Sequence, residues 1–227
     1  MLILAVDNSL DFLTIAVADG EKILNEKSVK DIQHTPSEIL AVMVSDILAD
    51  TGHPIDDVET LFVTLGPGSF TGVRVSMAFC KGLSAGMNIP LIGVPTLDVL
   101  ATTFAHMDGH FLCPLIDAKK GEVFLALYLA SRGTLKRLTN YRAVKPEAVP
   151  GIIEKPCICF GSGMILCEPL LATIEGVQIV KDTGRIISAE AFIKTGISIM
   201  ADSPKNDTKP IYGRKSEAEI RYNVTVD

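Results

Sequence analysis

The chain has 227 residues, 48% of them hydrophobic and 21% charged, and a formal net charge of −6. The length allows one large domain or two small ones, each able to bury a core, and the acidic balance argues against broad electrostatic capture of nucleic acid by this chain alone. No apolar run approaches the ~18 residues of a membrane span and no signal or transit segment is recognisable, so a cytoplasmic protein without a membrane partner is expected.

Leu2 to Val6 and Phe12 to Ala18 are short apolar runs, and Lys22 to Val29 alternates after an Asp19-Gly20 turn, which reads as three antiparallel strands. Thr35-Pro36-Ser37-Glu38 has the form of a capping box with proline at the first helical position, so a helix is expected from Pro36 to Ala49. A strand over 59–65, a helix over 70–87, a strand over 90–94 and a helix over 96–105 complete the order βββαβαβα. Beyond His106-Met107-Asp108-Gly109-His110 the order starts again. Phe111 to Ile116, Glu122 to Ala130 and Thr134 to Arg142 read as strands, Pro146 to Ile153 as a short helix and Cys157 to Phe160 as a strand. Helix, strand and helix follow over 163–172, 177–180 and 188–200.

In each half the first strand ends in an aspartate at the start of a hairpin, Asp7 and Asp117. A duplicated βββαβαβα unit of this kind is the layout of the two-domain α/β actin-like, RNase H-like (ASKHA) fold, in which paired hairpins grip nucleotide phosphates across a cleft. The expected division is an N-terminal domain over 1–108 carrying two long helices, a smaller second domain over 109–204, and a tail over 205–227 that packs back or is partly flexible. Fold resemblance alone does not establish function.

The segment Gly66-Pro67-Gly68-Ser69-Phe70-Thr71-Gly72-Val73-Arg74 joins a strand to a helix. Its glycines permit backbone angles closed to other residues, Ser69 or Thr71 can cap the helix, and free N–H groups at such a turn attract anions. The plainer reading is a tight strand-to-helix joint. A P-loop is excluded because Thr71 stands where its second glycine belongs and no lysine follows. A nucleophile elbow is excluded because Phe70 stands midway between Gly68 and Gly72.

Helix 36–49 carries Ile39, Leu40, Val42, Met43, Val44, Ile47 and Leu48, which wraps most of its circumference. Helix 70–87 has only Arg74 and Lys81 as charges, with Ser76, Ala78, Gly82, Ser84, Ala85 and Gly86 as small residues. Both look apolar on two sides, so the side away from the sheet must meet either another part of this chain or a second chain.

The five cysteines at 80, 113, 157, 159 and 167 sit in apolar contexts and read as reduced core thiols, with Cys157-Ile158-Cys159 on a buried strand. Lys119-Lys120 and Arg214-Lys215 read as solvated surface. His106 and His110 have the i,i+4 spacing of helical zinc ligands, but Asp108-Gly109 between them signals a turn, and exposed linker histidines are the better reading. His34 and His53 stand without visible triad partners.

Leu2 to Ser9, Gly66 to Arg74, Gly93-Val94-Pro95-Thr96-Leu97, Ile116 to Val123 and Pro210-Ile211-Tyr212-Gly213-Arg214 together resemble the TsaB (YeaZ) family, across nearly the whole chain. The resemblance implies a non-catalytic dimerisation subunit of the bacterial machinery that makes N6-threonylcarbamoyladenosine at position 37 of tRNAs reading ANN codons. Its partners would be the catalytic paralogue TsaD and the ATPase TsaE, with tRNA reached through the complex and a homodimer formed when the chain is alone.

The family's pairing uses the first two long helices. Those match 36–49 and 70–87 here, with Ile39, Met43, Ile47, Val75, Phe79 and Leu83 as the expected partner-facing side chains. Matching Pro90 to Val94 with the paralogue places Thr96 and Leu100 where its metal-binding histidines stand, and neither holds a metal as imidazole does, so no metal or catalytic residue is expected. Asp7, Asn8 and Ser9 with Gly161 and Gly163 are the candidates for a degenerate nucleotide site. No intrinsic cofactor is implied, and ADP or ATP is left to the interface of the complex. Lys119, Lys120 and Glu122 are either functional hairpin residues or solubilising ones. The rival classes are an actin-fold small-molecule kinase using Asp7 and Asp117, disfavoured by the lack of Asp-x-Gly in either hairpin, and a metallopeptidase, disfavoured by the missing histidines.

Overall fold

In a computed structural model, which describes residues 1–30, 36–181, 186–202 and 208–213, the first half folds in the order that its apolar periodicity implies. Strands β1 (Leu2–Asp7), β2 (Leu13–Asp19) and β3 (Lys22–Val29) form an antiparallel meander. β4 (Thr60–Thr64) and β5 (Leu91–Val94) add in parallel, giving the order β3-β2-β1-β4-β5. The parallel strands are enclosed on both faces, which is why they read as continuous apolar runs.

Helices α1 (Pro36–Thr51) and α2 (Phe70–Met87) cover one face, where Leu40, Val44, Ile47, Val73 and Met77 pack on Leu4, Val6, Ile15 and Val63. The residue proposed to cap α1, Thr35, and the side chains of Ser37 and Glu38 lie outside the described residues. α2 is capped at its start by the Ser69 side chain, which accepts from the Gly72 N–H, and ends at Asn88 in the left-handed region.

The second half departs from three strands before its short helix; it has five. β6 (Phe111–Lys119) is nine residues long, and its two ends take different partners. Its C-terminal part pairs with β7 (Glu122–Leu125) and its start with β8 (Tyr128–Ser131), so the strand expected over 122–130 breaks at Ala126 and Leu127. The strand expected over 134–142 likewise splits into β9 (Thr134–Arg137), a hairpin partner of β8, and β10 (Arg142–Val144), a partner of β7. A 3₁₀ turn over Pro146–Gly151, β11 (Cys157–Phe160), helix α4 (Met164–Leu171), β12 (Val177–Val180) and helix α5 (Ala189–Asp202) follow. The resulting path β10-β7-β6-β11-β12 repeats the first sheet's order with β10 in the place of β3. Cys113, Cys157, Cys159 and Cys167 are buried together in this sheet's core and Cys80 in the other, all as free thiols.

The two sheets share a core. Helix α3 (Thr96–Thr102) and α5 lie between them, and Phe62, Ile92, Leu97, Ile116, Phe124, Phe160 and Phe192 belong to one cluster. α5, though made by the second half, packs on the first sheet; a Cβ added at Gly196 would lie 2.3 Å from the Phe62 ring, so only glycine allows this approach. Asp98 of α3 accepts from the hydroxyls of Tyr128 at 2.6 Å and Tyr141 at 2.8 Å, which pins α3 to the second sheet. Near the C-terminus, the Ile211 N–H donates to the Leu65 carbonyl at 2.7 Å and the Ala143 N–H to the Gly213 carbonyl at 2.8 Å, so 208–213 bridges the two halves. Residues 205–207 and 214–227 of the expected tail, with Arg214 and Lys215, lie outside the described residues. Among the described residues, no helix is long and apolar enough to cross a membrane.

Candidate functional site

The glycine loop sits flush on the first hairpin. A Cβ at Gly68 would lie 2.1 Å from the Ser9 carbonyl oxygen and one at Gly72 only 1.9 Å from that of Asn8, so both positions need glycine for contact rather than for unusual angles. The Ser69 N–H donates to the Ser9 carbonyl at 2.8 Å, the Gly72 N–H to Ser69 Oγ at 3.1 Å and the Val73 N–H to the Ser69 carbonyl at 3.0 Å. Three of the amides that the loop sequence suggests for an anion are thus spent within the chain.

Asp7 faces inward and is fully buried. Its Oδ1 accepts from the Ser9 N–H at 2.9 Å, from the Ser9 hydroxyl and from the Thr64 hydroxyl at 2.7 Å, while Oδ2 finds no partner among the described residues. Burial raises its carboxyl above the usual aspartate range, against the hydrogen bonds from Ser9 and Thr64, which lower it. The folded chain therefore holds this proton more tightly than the unfolded chain does. The resulting stabilisation is complete below the ordinary aspartate pKa and is lost as pH rises through the raised value. Asp7→Asn keeps the Oδ1 acceptor and removes the charge, so denaturation midpoints taken over roughly pH 4 to 8 should fall less steeply with pH than those of the parent; parallel profiles would show that Asp7 does not titrate as described.

The second hairpin is built differently. Asp117 is half-buried, and its carboxylate accepts from the Lys119 N–H at 2.8 Å and from Lys119 Nζ at 3.0 Å. Burial pushes this carboxyl up, but the bonds from Lys119 outweigh it and hold it below the usual range. The Asp117 N–H donates to Ser162 Oγ at 3.1 Å. The turn 161–163 lies on β6: a Cβ at Gly161 would meet the Leu115 carbonyl oxygen at 2.3 Å, and the Gly163 N–H donates to that oxygen at 2.9 Å.

Between the hairpins lies a cleft of about 520 Å³, walled by Ser9, Asp11, Ser69, Phe70 and Thr71 on one side and by Asp117, Lys119, Ser162 and Ile165 on the other. Of the five expected nucleotide residues, Ser9 reaches this wall. Asp7 and Asn8 lie behind it, and Gly161 and Gly163 flank Ser162. Sequence reasoning missed Phe70, Ser162 and Ile165 as wall residues. The available signal was an aromatic in the first turn after the glycine loop. Arg74 lies outside the cleft, its guanidinium 3.7 Å from the Phe70 ring centroid and its Nε donating to the Tyr212 hydroxyl at 3.0 Å.

The faces of α1 and α2 sort the expected partner-facing residues. Ile47 is fully enclosed in the core and presents nothing outward. Ile39, Met43, Val75, Phe79 and Leu83 are half-buried against the same core. Val42, at 58% exposure, and the exposed Ala78, Gly82, Ala85 and Gly86 face outward, together with Ser45, Asp46 and Asp50 of α1 and Arg74 and Lys81 of α2. Thr96 and Leu100 are both buried at the joint between the sheets. His106 stacks on Phe104 at 6.4 Å, and His110 Nδ1 lies 3.2 Å from the Asp108 carbonyl; His34 is outside the described residues.

Two sheets of the same strand order meeting at a cleft between paired hairpins define an actin-like, ASKHA-type α/β protein. The family model for TsaD, tRNA N6-adenosine threonylcarbamoyltransferase, matches residues 30–158. The chain is 33% identical over 151 residues to the Escherichia coli tRNA threonylcarbamoyladenosine biosynthesis protein TsaB, covering 66% of this chain and 64% of that one. It is 32% identical over 138 residues to the Bacillus subtilis protein of the same name, covering 61% of this chain and 59% of that one. The matched stretch thus spans about three fifths of these curated relatives. The structure of YeaZ from Pseudomonas aeruginosa superposes with a TM-score of 0.76 at 21% identity, over 93% of this chain and 99% of that one. The chain belongs to the TsaB/YeaZ family.

Proposed function

We propose that this chain is a non-catalytic scaffold subunit of a cytoplasmic tRNA-modifying complex, pairing with TsaD to support formation of threonylcarbamoyladenosine at position 37 of tRNAs reading ANN codons. The observation that carries the proposal is the outer surface of α1 and α2. Val42, Ala78, Gly82, Ala85 and Gly86 are exposed beside half-buried Met43, Phe79 and Leu83, and α2 has only Arg74 and Lys81 as charges. The outer face of α2, poor in charge and rich in small side chains, suits close helix-to-helix contact with a second chain. The names of the relatives and the TsaD family match support the choice of pathway and partner. Thr96 and Leu100, buried and carrying no imidazole, support a role other than catalysis. TsaE would act as the ATPase of the complex, ADP or ATP would sit at the subunit interface, and tRNA would be reached through the partner. Alone, the same surface would pair two copies about a twofold axis.

Sedimentation of the chain with TsaD of the same organism, first without and then with TsaE and ATP, tests this reading. A one-to-one complex should form at the expense of the homodimer. If the two chains sediment independently under every condition, the scaffold role is wrong and ATP-dependent phosphoryl transfer becomes the reading to assay.

A further inference from the structure

Successive residues of the segment 208–213 hold three different parts of the molecule. The Ile211 N–H donates to the Leu65 carbonyl at 2.7 Å, and a Cβ at Gly66 would lie 2.7 Å from the Ile211 carbonyl oxygen, so this residue is seated on the chain leaving β4. The Tyr212 ring stands 5.4 Å from that of Phe70, and its hydroxyl accepts from Arg74 Nε at 3.0 Å, which grips the start of α2. The Gly213 carbonyl accepts from the Ala143 N–H of β10 at 2.8 Å. A Cβ at 213 would lie 2.8 Å from the Phe124 ring of β7, and φ there is +64°, so glycine is required on both counts.

These grips are shallow. None of the six residues is fully buried, Tyr212 is 37% exposed, and 208–213 belongs to no helix or strand. A segment that buries so little apolar surface opens at a lower free energy than the sheets beneath it. What it covers is deep: Ile211 packs on the core that holds Leu65 and Val73, and Gly213 lies against Phe124 and Pro67. All three grips converge on the glycine loop, through Gly66, Pro67 and Phe70.

We propose that 208–213 is a latch: it opens and closes as one unit while both sheets stay folded, and when closed it fixes the glycine loop and the first turn of α2 to the second sheet. Opening frees the Leu65 carbonyl and the Ala143 N–H, uncovers the Phe124 ring and takes Tyr212 away from Phe70 and Arg74, so the first turn of α2 loosens. The latch thus governs one wall of the cleft, where Phe70 stands, and the start of the α2 surface, from a position 138 residues further along the chain than Arg74. It needs no ligand, and it holds whether or not the chain pairs with a partner.

Amide hydrogen exchange of the full chain, followed residue by residue by NMR over a series of low urea concentrations, tests the latch. The Ile211 and Ala143 amides should have similar protection factors, far below that of the Leu65 amide, which donates to Val94 within the first sheet, and should respond little to urea because the opening exposes little surface. Tyr212→Ala should lower the protection of both amides together by roughly tenfold, since an aromatic pair and a cation-to-ring contact are lost, and should lower that of the Gly72 amide in the first turn of α2 as well. Tyr212→Phe keeps the ring, loses the bond from Arg74 and should fall between the parent and Tyr212→Ala. Because Tyr212 is exposed, both variants should still unfold cooperatively. Exchange of Ile211 and Ala143 at the protection and urea dependence of Leu65 would show that the segment opens only with the whole chain. A change at one of the two amides without the other would show two independent contacts. Either result overturns the latch, as would protection at Ile211, Ala143 and Gly72 indifferent to Tyr212→Ala.

Discussion

Ala78→Glu or Ala85→Glu is expected to abolish association with TsaD while shifting the chain's own stability by no more than about 0.5 kcal/mol. Both side chains lie on the outer face of α2 and are exposed, so glutamate there costs little in the free chain. In a helix-to-helix contact the same carboxylate would be buried without a partner, at a cost of about 3–5 kcal/mol, enough to weaken binding by roughly two to three and a half orders of magnitude. Phe79 and Leu83 are the obvious targets from sequence but are poorer ones, because each also packs on the core beneath α2 and a charge there would unsettle the fold itself. Sedimentation of the mixture reads association and denaturant unfolding reads stability. A variant that stays folded and still binds TsaD at the parent's affinity would move the interface away from this face.

Gly72→Ala is expected to cost about 3 kcal/mol or more, whereas Gly82→Ala, ten residues on in the same helix, is expected to stabilise the chain by about 0.5–1 kcal/mol. The two glycines are opposites. A methyl group at 72 would meet the Asn8 carbonyl oxygen at 1.9 Å, and backbone cannot swing aside as a side chain can; at 82 it would meet nothing within 4 Å. Relieving the first clash means lifting the start of α2 off the 7–9 hairpin and breaking the Ser69-to-Ser9 hydrogen bond of 2.8 Å. The second substitution simply exchanges a poor helix former for the best one. Urea unfolding of the two variants measures both. If both variants lose stability by similar amounts, the loop does not pack on the hairpin as described. A Gly82→Ala chain that is more stable yet pairs less well with TsaD would in addition explain why so poor a helix former stands there.

The first sheet was legible because its strands are short apolar runs separated by unmistakable turns, and the two long helices because each fills the interval between strands with one unbroken periodicity. The second half was legible in its order but not in its breaks. Nothing in Glu122 to Ala130 says that β6 is long enough to take one partner at each end, so one strand was read where β7 and β8 stand. The crossing of α5 onto the first sheet was equally hidden. Gly196 is a mild defect in a helix until the Phe62 ring against it is seen.

At the site, local pattern located the two hairpins and the glycine loop, while tertiary packing decided what they present. Asp7 and Asn8 turn away from the cleft, and Gly161 and Gly163 serve the seating of a turn on β6. Phe70 and Ile165, nearly a hundred residues apart, form opposite walls of a space that neither segment implies. On α1, an apolar circumference showed that two sides had to be covered, but only the packing assigns Ile47 to the core and Val42 to the outside.

The placement of α5 also bears on how the chain comes to be folded during synthesis. Ile3, Ala16, Phe62 and Ile92 of the first sheet share their core with Phe192 and Ile193, which lie at the far end of the sequence. As the polypeptide leaves the ribosome, that face of the sheet stays uncovered until α5 has been made, well after the sheet's last strand, a long exposure for apolar surface and one that favours chaperone engagement. A fragment ending at residue 108 would keep every strand of the first sheet and still lack the helix that closes it. The two halves therefore close one core between them, and a repeated order of elements does not by itself make either half complete.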